Sequence, residues 1–112
     1  MEQKIHEIHL TDDAGNPAGG TTEGVGISIR WQDGPLAVPE TPDAPAHRRE
    51  PNGAFVEGVI AAAIGRLEFY NSSKFRCREN SLAITHLEEA LHWLQARTAN
   101  REARGVEGTH EL

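Results

Sequence analysis

Histidines and paired carboxylates are the side chains that would most readily do acid–base or metal chemistry, and the sequence holds six histidines. His86 and His92 lie six residues apart in one predicted helix, unlike the i, i+4 histidines of a zinc-binding helix. Glu88 and Glu89 are adjacent, and adjacent helical side chains diverge, which favours surface charge over a general acid and base. The sequence therefore predicts no catalytic residues, no metal site and no cofactor, and we do not expect an enzyme.

Arginines are the second group of side chains with chemical potential, and they are unevenly distributed. The formal net charge of −6 disfavours a general DNA or RNA binder, which is normally basic. Residues 66–104 nevertheless hold seven basic and five acidic side chains, a balance of +2 within an acidic protein. This reversal suits a discrete ligand with a few phosphates, although a solvated helix face would give the same pattern.

The composition also indicates where the protein works. Cys77 is the single cysteine, so it forms neither an internal disulfide nor a zinc site with a second cysteine. No stretch approaches the roughly 20 apolar residues of a membrane span, and acidic residues stand in the first ten positions where a signal peptide would be basic and then apolar. We expect a cytoplasmic protein without a membrane partner.

The elements that would position these side chains change in type near residue 52. Residues 4–10 and 26–31 alternate apolar and polar side chains and predict two strands. The segment 12–20 between them is rich in turn formers, so the two strands are expected to pair as an antiparallel hairpin. Residues 33–51 contain five prolines and are expected to form a mobile loop that sustains neither a helix nor a central strand.

Two helices are predicted after Asn52, which is a plausible helix cap. Apolar residues recur every three or four positions from Val56 to Tyr70, then again from Ala83 to Thr98, and the polar run at 71–73 separates them. The prediction is an α+β fold: an N-terminal antiparallel β-hairpin or small sheet, then an antiparallel two-helix hairpin.

We expect a single domain over residues 1–112, with a strand region, a proline-rich loop, a helical hairpin and a C-terminal tail. Their predicted bounds are 1–36, 37–52, 53–104 and 105–112 respectively. The apolar fraction of 38% with only 5% aromatic residues is low for so short a chain. We therefore expect each subunit to complete its burial in a homo-oligomer.

Three segments carry a resemblance to a known family and together cover about half the chain. They are Pro51–Glu57 (PNGAFVE), Cys77–Leu94 (CRENSLAITHLEEALHWL) and Arg97–His110, which ends in RGVEGTH. They resemble the helical-hairpin domain of phage nucleotide sponges, which the Thoeris anti-defence sponges share with the anti-CBASS cyclic-oligonucleotide sponges. The phrase IRWQDGPL at Ile29–Leu36 favours the Thoeris group.

The resemblance implies a function as well as a fold. Members of the Thoeris group are homo-oligomers, dimers or hexamers, that bind glycocyclic ADP-ribose made by TIR-domain enzymes and leave it intact. Some also hold cyclic trinucleotides at a separate site. The implied partners are therefore a cyclic nucleotide messenger and further copies of the chain, with no DNA, RNA or membrane.

The resemblance also implies the site residues. Tyr70, beside Phe69, matches an aromatic residue that stacks on adenine, and Asn80 matches a side chain that hydrogen-bonds the messenger. Arg97 and Arg101 match arginines that hold cyclic-trinucleotide phosphates. Because adjacent helical residues point apart, one of the two aromatic rings is expected in the core, and Tyr70 is preferred for stacking.

Several assignments stay open at this stage. Trp31 either closes the pocket or packs on the sheet, and further phosphate contacts are plausible at Arg48, Arg49, Arg76 and Arg78. The alternatives are an anti-CBASS sponge alone, a structural or regulatory hairpin with no small ligand, and an enzyme that hydrolyses the same messenger. The last needs a group that activates water, which the sequence does not reveal.

Overall fold

A computed structural model of the protein describes residues 4–39 and 46–105. The chain divides near residue 55 into a strand-rich first unit and a helical second unit, Val56–Gly105. The α+β class is confirmed, with an antiparallel sheet followed by two helices. The predicted tail lies outside the described residues from position 106 onward, and a single functional domain stays a prediction.

The first unit contains a three-stranded antiparallel sheet in the order β1-β2-β3. The strands are β1 (Ile5–Thr11), β2 (Pro17–Gly24) and β3 (Ile27–Asp33). The predicted direct pairing of the first and last of these is wrong, since β2 lies between them and pairs with both. The sequence of β2, PAGGTTEG, does not predict a strand, because proline and glycine are depleted in strand interiors.

Gly20 shows why β2 has this composition. It pairs with His9 on one side and Trp31 on the other, and its φ of +132° is one that L side chains rarely adopt. A Cβ at this position would also collide with the carbonyl oxygen of Ile8. The close approach of β1 and β2 therefore requires glycine here.

Two parts of the proline-rich segment form strands, contrary to the prediction. Short strands β4 (Ala37–Pro39) and β5 (Ala46–Arg48) pair antiparallel as a separate two-stranded sheet. Arg49 follows β5, and its guanidinium donates to the carbonyl oxygen of Pro35 at 2.7 Å. The expectation of an unstructured loop is wrong for these strands, because proline is compatible with short edge strands.

Asn52 is not a helix cap, contrary to the prediction. Its side-chain oxygen accepts a hydrogen bond from the Asp33 backbone N–H at 2.8 Å, and its side-chain nitrogen donates to the Asp33 carbonyl at 2.9 Å. Two residues later, Ala54 forms a parallel bridge with Trp31. Residues 52–54 are thus hydrogen-bonded to β3, and the first helix begins only at Val56.

The second unit is the predicted helical hairpin. Helices α1 (Val56–Asn71) and α2 (Arg78–Ala103) pack against each other and are joined by residues 72–77, called here the hairpin turn. Within residues 4–39 and 46–105, no helix is long and apolar enough to cross a bilayer.

No apolar side chain is buried among the described residues. Large apolar groups are exposed on both units, including Ile5 and Ile27 on the sheet and Phe75 and Trp93 on the helical unit. A stable fold normally buries such surface. This exposure agrees in direction with the expectation of a homo-oligomer, which stays a prediction.

Candidate ligand site at the hairpin turn

Asn71 organises the hairpin turn. Its side-chain nitrogen donates to the Ser81 hydroxyl at 3.1 Å, and its side-chain oxygen accepts from the Cys77 backbone N–H at 3.3 Å. Its backbone carbonyl accepts from the Arg76 guanidinium at 3.1 Å. The last residue of α1 is thereby bonded to the turn and to the first part of α2, so both helix ends are held together.

Tyr70 and Asn80 lie next to the two residues of this cross-link. Tyr70 precedes Asn71 on α1, and Asn80 precedes Ser81 on α2, so each of the two is adjacent in sequence to one residue of the Asn71–Ser81 hydrogen bond. Asn80 is half-buried, and its side-chain nitrogen makes a long hydrogen bond of 3.4 Å to the Phe75 carbonyl. Its side-chain oxygen has no hydrogen bond within the described residues, which leaves an acceptor for a ligand.

Phe69 and Tyr70 differ from expectation. One of the two was expected in the core, but their side chains are 57% and 39% exposed respectively. Their ring centroids lie 6.1 Å apart with planes tilted by 55°. The prediction of a buried ring is wrong because α1 contains no buried residue at all, so the core that would take it is not closed within one chain.

Arg66 completes this aromatic surface, although the sequence identified it only as one of the seven basic residues in 66–104. Its guanidinium lies 4.8 Å from the ring centroid of Phe69 and 5.0 Å from that of Tyr70. Both distances fall within the range of cation–π attraction. The spacing i, i+3 and i+4 on a helix was the signal in the sequence that could have identified this group.

Arg97 and Arg101 lie away from the hairpin turn. Arg97 follows Asn80 by 17 residues along α2, which at 1.5 Å per residue is about 25 Å. The two arginines also differ in environment: Arg97 is exposed, whereas Arg101 is only 6% exposed. The two arginines thus lie further along α2 than Asn80, and their grouping into a second site stays a prediction.

Trp31 belongs to the sheet of the first unit. Its indole N–H donates to the Thr22 hydroxyl of β2 at 2.8 Å, and Thr22 is buried. The Trp31 side chain therefore packs along the sheet in this structure. An open cavity of about 370 Å³ in the same unit is lined by residues that include Leu10, Arg30 and Asn52.

The other arginines considered for phosphate contacts have varied surroundings. Arg49 is bonded to Pro35 and Arg76 to Asn71, so each guanidinium supports a local loop. Arg48 ends β5 and Arg78 begins α2, and both are exposed. Within the described ranges, 4–39 and 46–105, no three histidine, cysteine or acidic side chains are grouped so that they could hold a metal ion.

Comparison with known proteins places a family model and a relative beside this chain. Residues 25–99 match the sequence model of the Acb2/Tad1 hairpin domain. The chain is also 53% identical over 85 residues to a protein named Thoeris anti-defense 1 from Bacillus phage SBSphiJ7. That alignment covers 76% of this chain and 60% of the length of the relative, so the chain spans less than two thirds of that protein.

Proposed function

Since this chain belongs to the family of proteins with the Acb2/Tad1 hairpin domain, we propose that it is a phage anti-defence protein that sequesters a cyclic nucleotide immune messenger. Its proposed ligand is glycocyclic ADP-ribose made by TIR-domain enzymes. It would act in the cytoplasm of the infected bacterial cell. The observation that carries the proposal is the hairpin turn, where Tyr70, whose ring is exposed, and Asn80 each precede one of the two hydrogen-bonded residues Asn71 and Ser81.

The chemistry of these two side chains supports binding of an adenine nucleotide. An exposed aromatic face attracts a base, and one stacked base is worth roughly 1–3 kcal/mol. The Asn80 amide adds a donor and an acceptor that orient the ligand. Phe69 extends the apolar surface beside Tyr70, since its ring is 6.1 Å away and exposed.

We propose that the messenger is held without being cleaved. An amide does not titrate, and an aromatic face binds a base without activating water. Sequestration succeeds only if the protein competes with the immune effector, which requires an affinity on the order of nanomolar. In the alternative, a hairpin with no small ligand, copies of the chain would cover the exposed rings and Asn80 would only bond the Phe75 carbonyl.

We also propose that the functional form is a homo-oligomer. Exposed apolar side chains on both units supply surface that copies of the chain would cover. Arg97 and Arg101 are proposed to bind the phosphates of a cyclic trinucleotide at a separate site. The length of α2 between Asn80 and Arg97 supports two sites, because one small ligand does not span about 25 Å.

A thermal-unfolding comparison tests the proposal. Glycocyclic ADP-ribose at about 100 times its Kd should add about 2.7 kcal/mol of stability, whereas linear ADP-ribose should add much less. Ligand released by heat should then have its original mass and retention time. An unchanged melting temperature with the cyclic ligand would contradict binding, and recovery of linear ADP-ribose would indicate an enzyme.

A further inference from the structure

Arg66 lies at the edge of the proposed site, and its guanidinium N–H groups can donate hydrogen bonds to a ligand. Its guanidinium lies over the rings of Phe69 and Tyr70, at 4.8 Å and 5.0 Å from their centroids. An arginine side chain carries five N–H donors in a planar fork, and a ring beneath the plane uses none of them. In the described part of the chain no hydrogen bond or ion pair joins this guanidinium to another residue.

Contact with the rings of Phe69 and Tyr70 restricts the position of the Arg66 guanidinium. A long side chain on a helix surface loses conformational entropy whenever it binds a ligand. Contact with two rings at once restricts Arg66 in advance, so less entropy remains to be lost on binding. The guanidinium is thus a charged donor group that is already held beside the stacking ring.

The chemistry of the ligand places phosphates within reach. In ADP-ribose and its cyclic isomers, one ribose joins the adenine to the diphosphate, so the diphosphate lies close to its own base. The guanidinium covers one face of the Tyr70 ring, and a base that stacks on the opposite face is separated from it by the thickness of that ring. A planar guanidinium binds phosphate oxygens in a bidentate manner.

We propose that Arg66 is a ligand-binding residue that contacts the diphosphate of the nucleotide whose base stacks on Tyr70. This inference rests on the proposed function and deepens it, because it assigns the anionic half of the ligand to α1. Tyr70 and Asn80 then recognise the base side of the ligand, and Arg66 recognises its phosphates. Selectivity for a diphosphate-bearing ligand over the bare nucleoside follows from this division.

Calorimetric titration of Arg66→Met, Arg66→Lys and the wild-type protein with glycocyclic ADP-ribose tests the inference. The Arg66→Met variant lacks a charged hydrogen bond to the ligand, so its Kd should be about 10- to 150-fold higher than that of the wild type. Arg66→Lys keeps the charge without the fork and should recover part of this loss. Arg104→Met is the matched control. Arg104, at the end of α2, follows Asn80 by 24 residues, about 36 Å at 1.5 Å per residue, so the variant should bind as the wild type does.

Salt dependence separates a phosphate contact from mere support of the rings. The wild-type Kd should rise more steeply with sodium chloride than the Kd of Arg66→Met, because the variant lacks one screened charge contact. Equal salt dependence, or wild-type affinity in the folded Arg66→Met variant, would overturn the inference while leaving the proposed function intact. A wild-type protein that does not bind the ligand would overturn both.

Discussion

The side chain of Asn71 donates to the hydroxyl of Ser81 at 3.1 Å and so connects the residue after Tyr70 with the residue after Asn80. The two proposed ligand-binding residues belong to different helices, and this hydrogen bond ties their helix ends together. A second bond, from the Cys77 backbone N–H to Asn71, holds the hairpin turn between them. Asn71 therefore supports the site although it is not proposed to contact the ligand.

Substitution of Asn71 tests this relationship. Asn71→Ala removes two side-chain hydrogen bonds, each worth about 0.5–1.5 kcal/mol, so the free energy of unfolding should fall by about 1–3 kcal/mol. Binding of glycocyclic ADP-ribose should weaken as well, because the helix ends lose their alignment. Urea denaturation and calorimetry measure the two effects.

Asn100→Ala is the matched control for this change. Asn100 is exposed on the same helix as Ser81, and no hydrogen bond of its side chain is found within the described residues. The substitution should leave stability within about 0.5 kcal/mol. If Asn71→Ala behaved like this control, the cross-link would have no role in the site.

Tyr70 and Asn80 should each be required for capture of the ADP-ribose messenger. Tyr70→Ala removes the stacking face, worth roughly 1–3 kcal/mol. Asn80→Ala removes the orienting amide. The stacking energy lost in Tyr70→Ala corresponds to about 5- to 160-fold weaker binding, so neither variant should still capture the messenger at nanomolar concentrations, while the oligomer persists. Tyr70→Phe keeps the ring and should retain most of the affinity. Wild-type affinity in both folded alanine variants would show that the site lies elsewhere.

The two proposed ligand sites should be separable. Arg97→Ala combined with Arg101→Ala should eliminate cyclic-trinucleotide binding and leave binding of glycocyclic ADP-ribose unchanged, because about 25 Å of helix separates Asn80 from Arg97. Since Arg101 is buried, its removal should also lower the melting temperature. Loss of both ligands by a still-assembled double variant would indicate one shared site.

Gly20 should be intolerant of any side chain. Gly20→Ala combines an unfavourable φ with a collision against the Ile8 carbonyl oxygen, so it should destabilise the fold by several kcal/mol. Gly26→Ala is the matched control: Gly26 also has a positive φ, but an added Cβ would meet nothing within 4 Å, so the substitution should cost about 1–2 kcal/mol. Equal denaturation midpoints for the two variants would contradict the close approach of β1 and β2.

Local sequence pattern predicted some elements well and others poorly, for physical reasons. The helices follow a spacing of three and four between apolar residues, and this signal is local, so the hairpin was predictable. Strand β2 was not, because Pro17, Gly19 and Gly20 suppress strand propensity while the neighbouring strands supply its hydrogen bonds. Asn52 precedes a helical pattern and so resembled a cap. Its actual partner, Asp33, lies 19 residues away in sequence, where a local pattern does not reveal it.

The candidate site was predictable only in part. The resemblance named Tyr70 and Asn80, whose roles stay predictions, and the structure shows that the residues after them, Asn71 and Ser81, are hydrogen-bonded to each other. The role of Arg66 depends on the position of its flexible side chain over the two rings, which the spacing of these residues in the sequence does not determine. The exposure of both Phe69 and Tyr70 could not be predicted either, because it depends on how much of the core one chain closes.

Calorimetric titration of the wild-type protein with glycocyclic ADP-ribose, followed by mass spectrometry of the ligand released on denaturation, tests the central claim most directly. We predict saturable binding with a Kd on the order of nanomolar, about 12 kcal/mol, and recovery of the ligand with its mass and retention time unchanged. Heat no greater than that of dilution, or recovery of a hydrolysed product, would contradict the account.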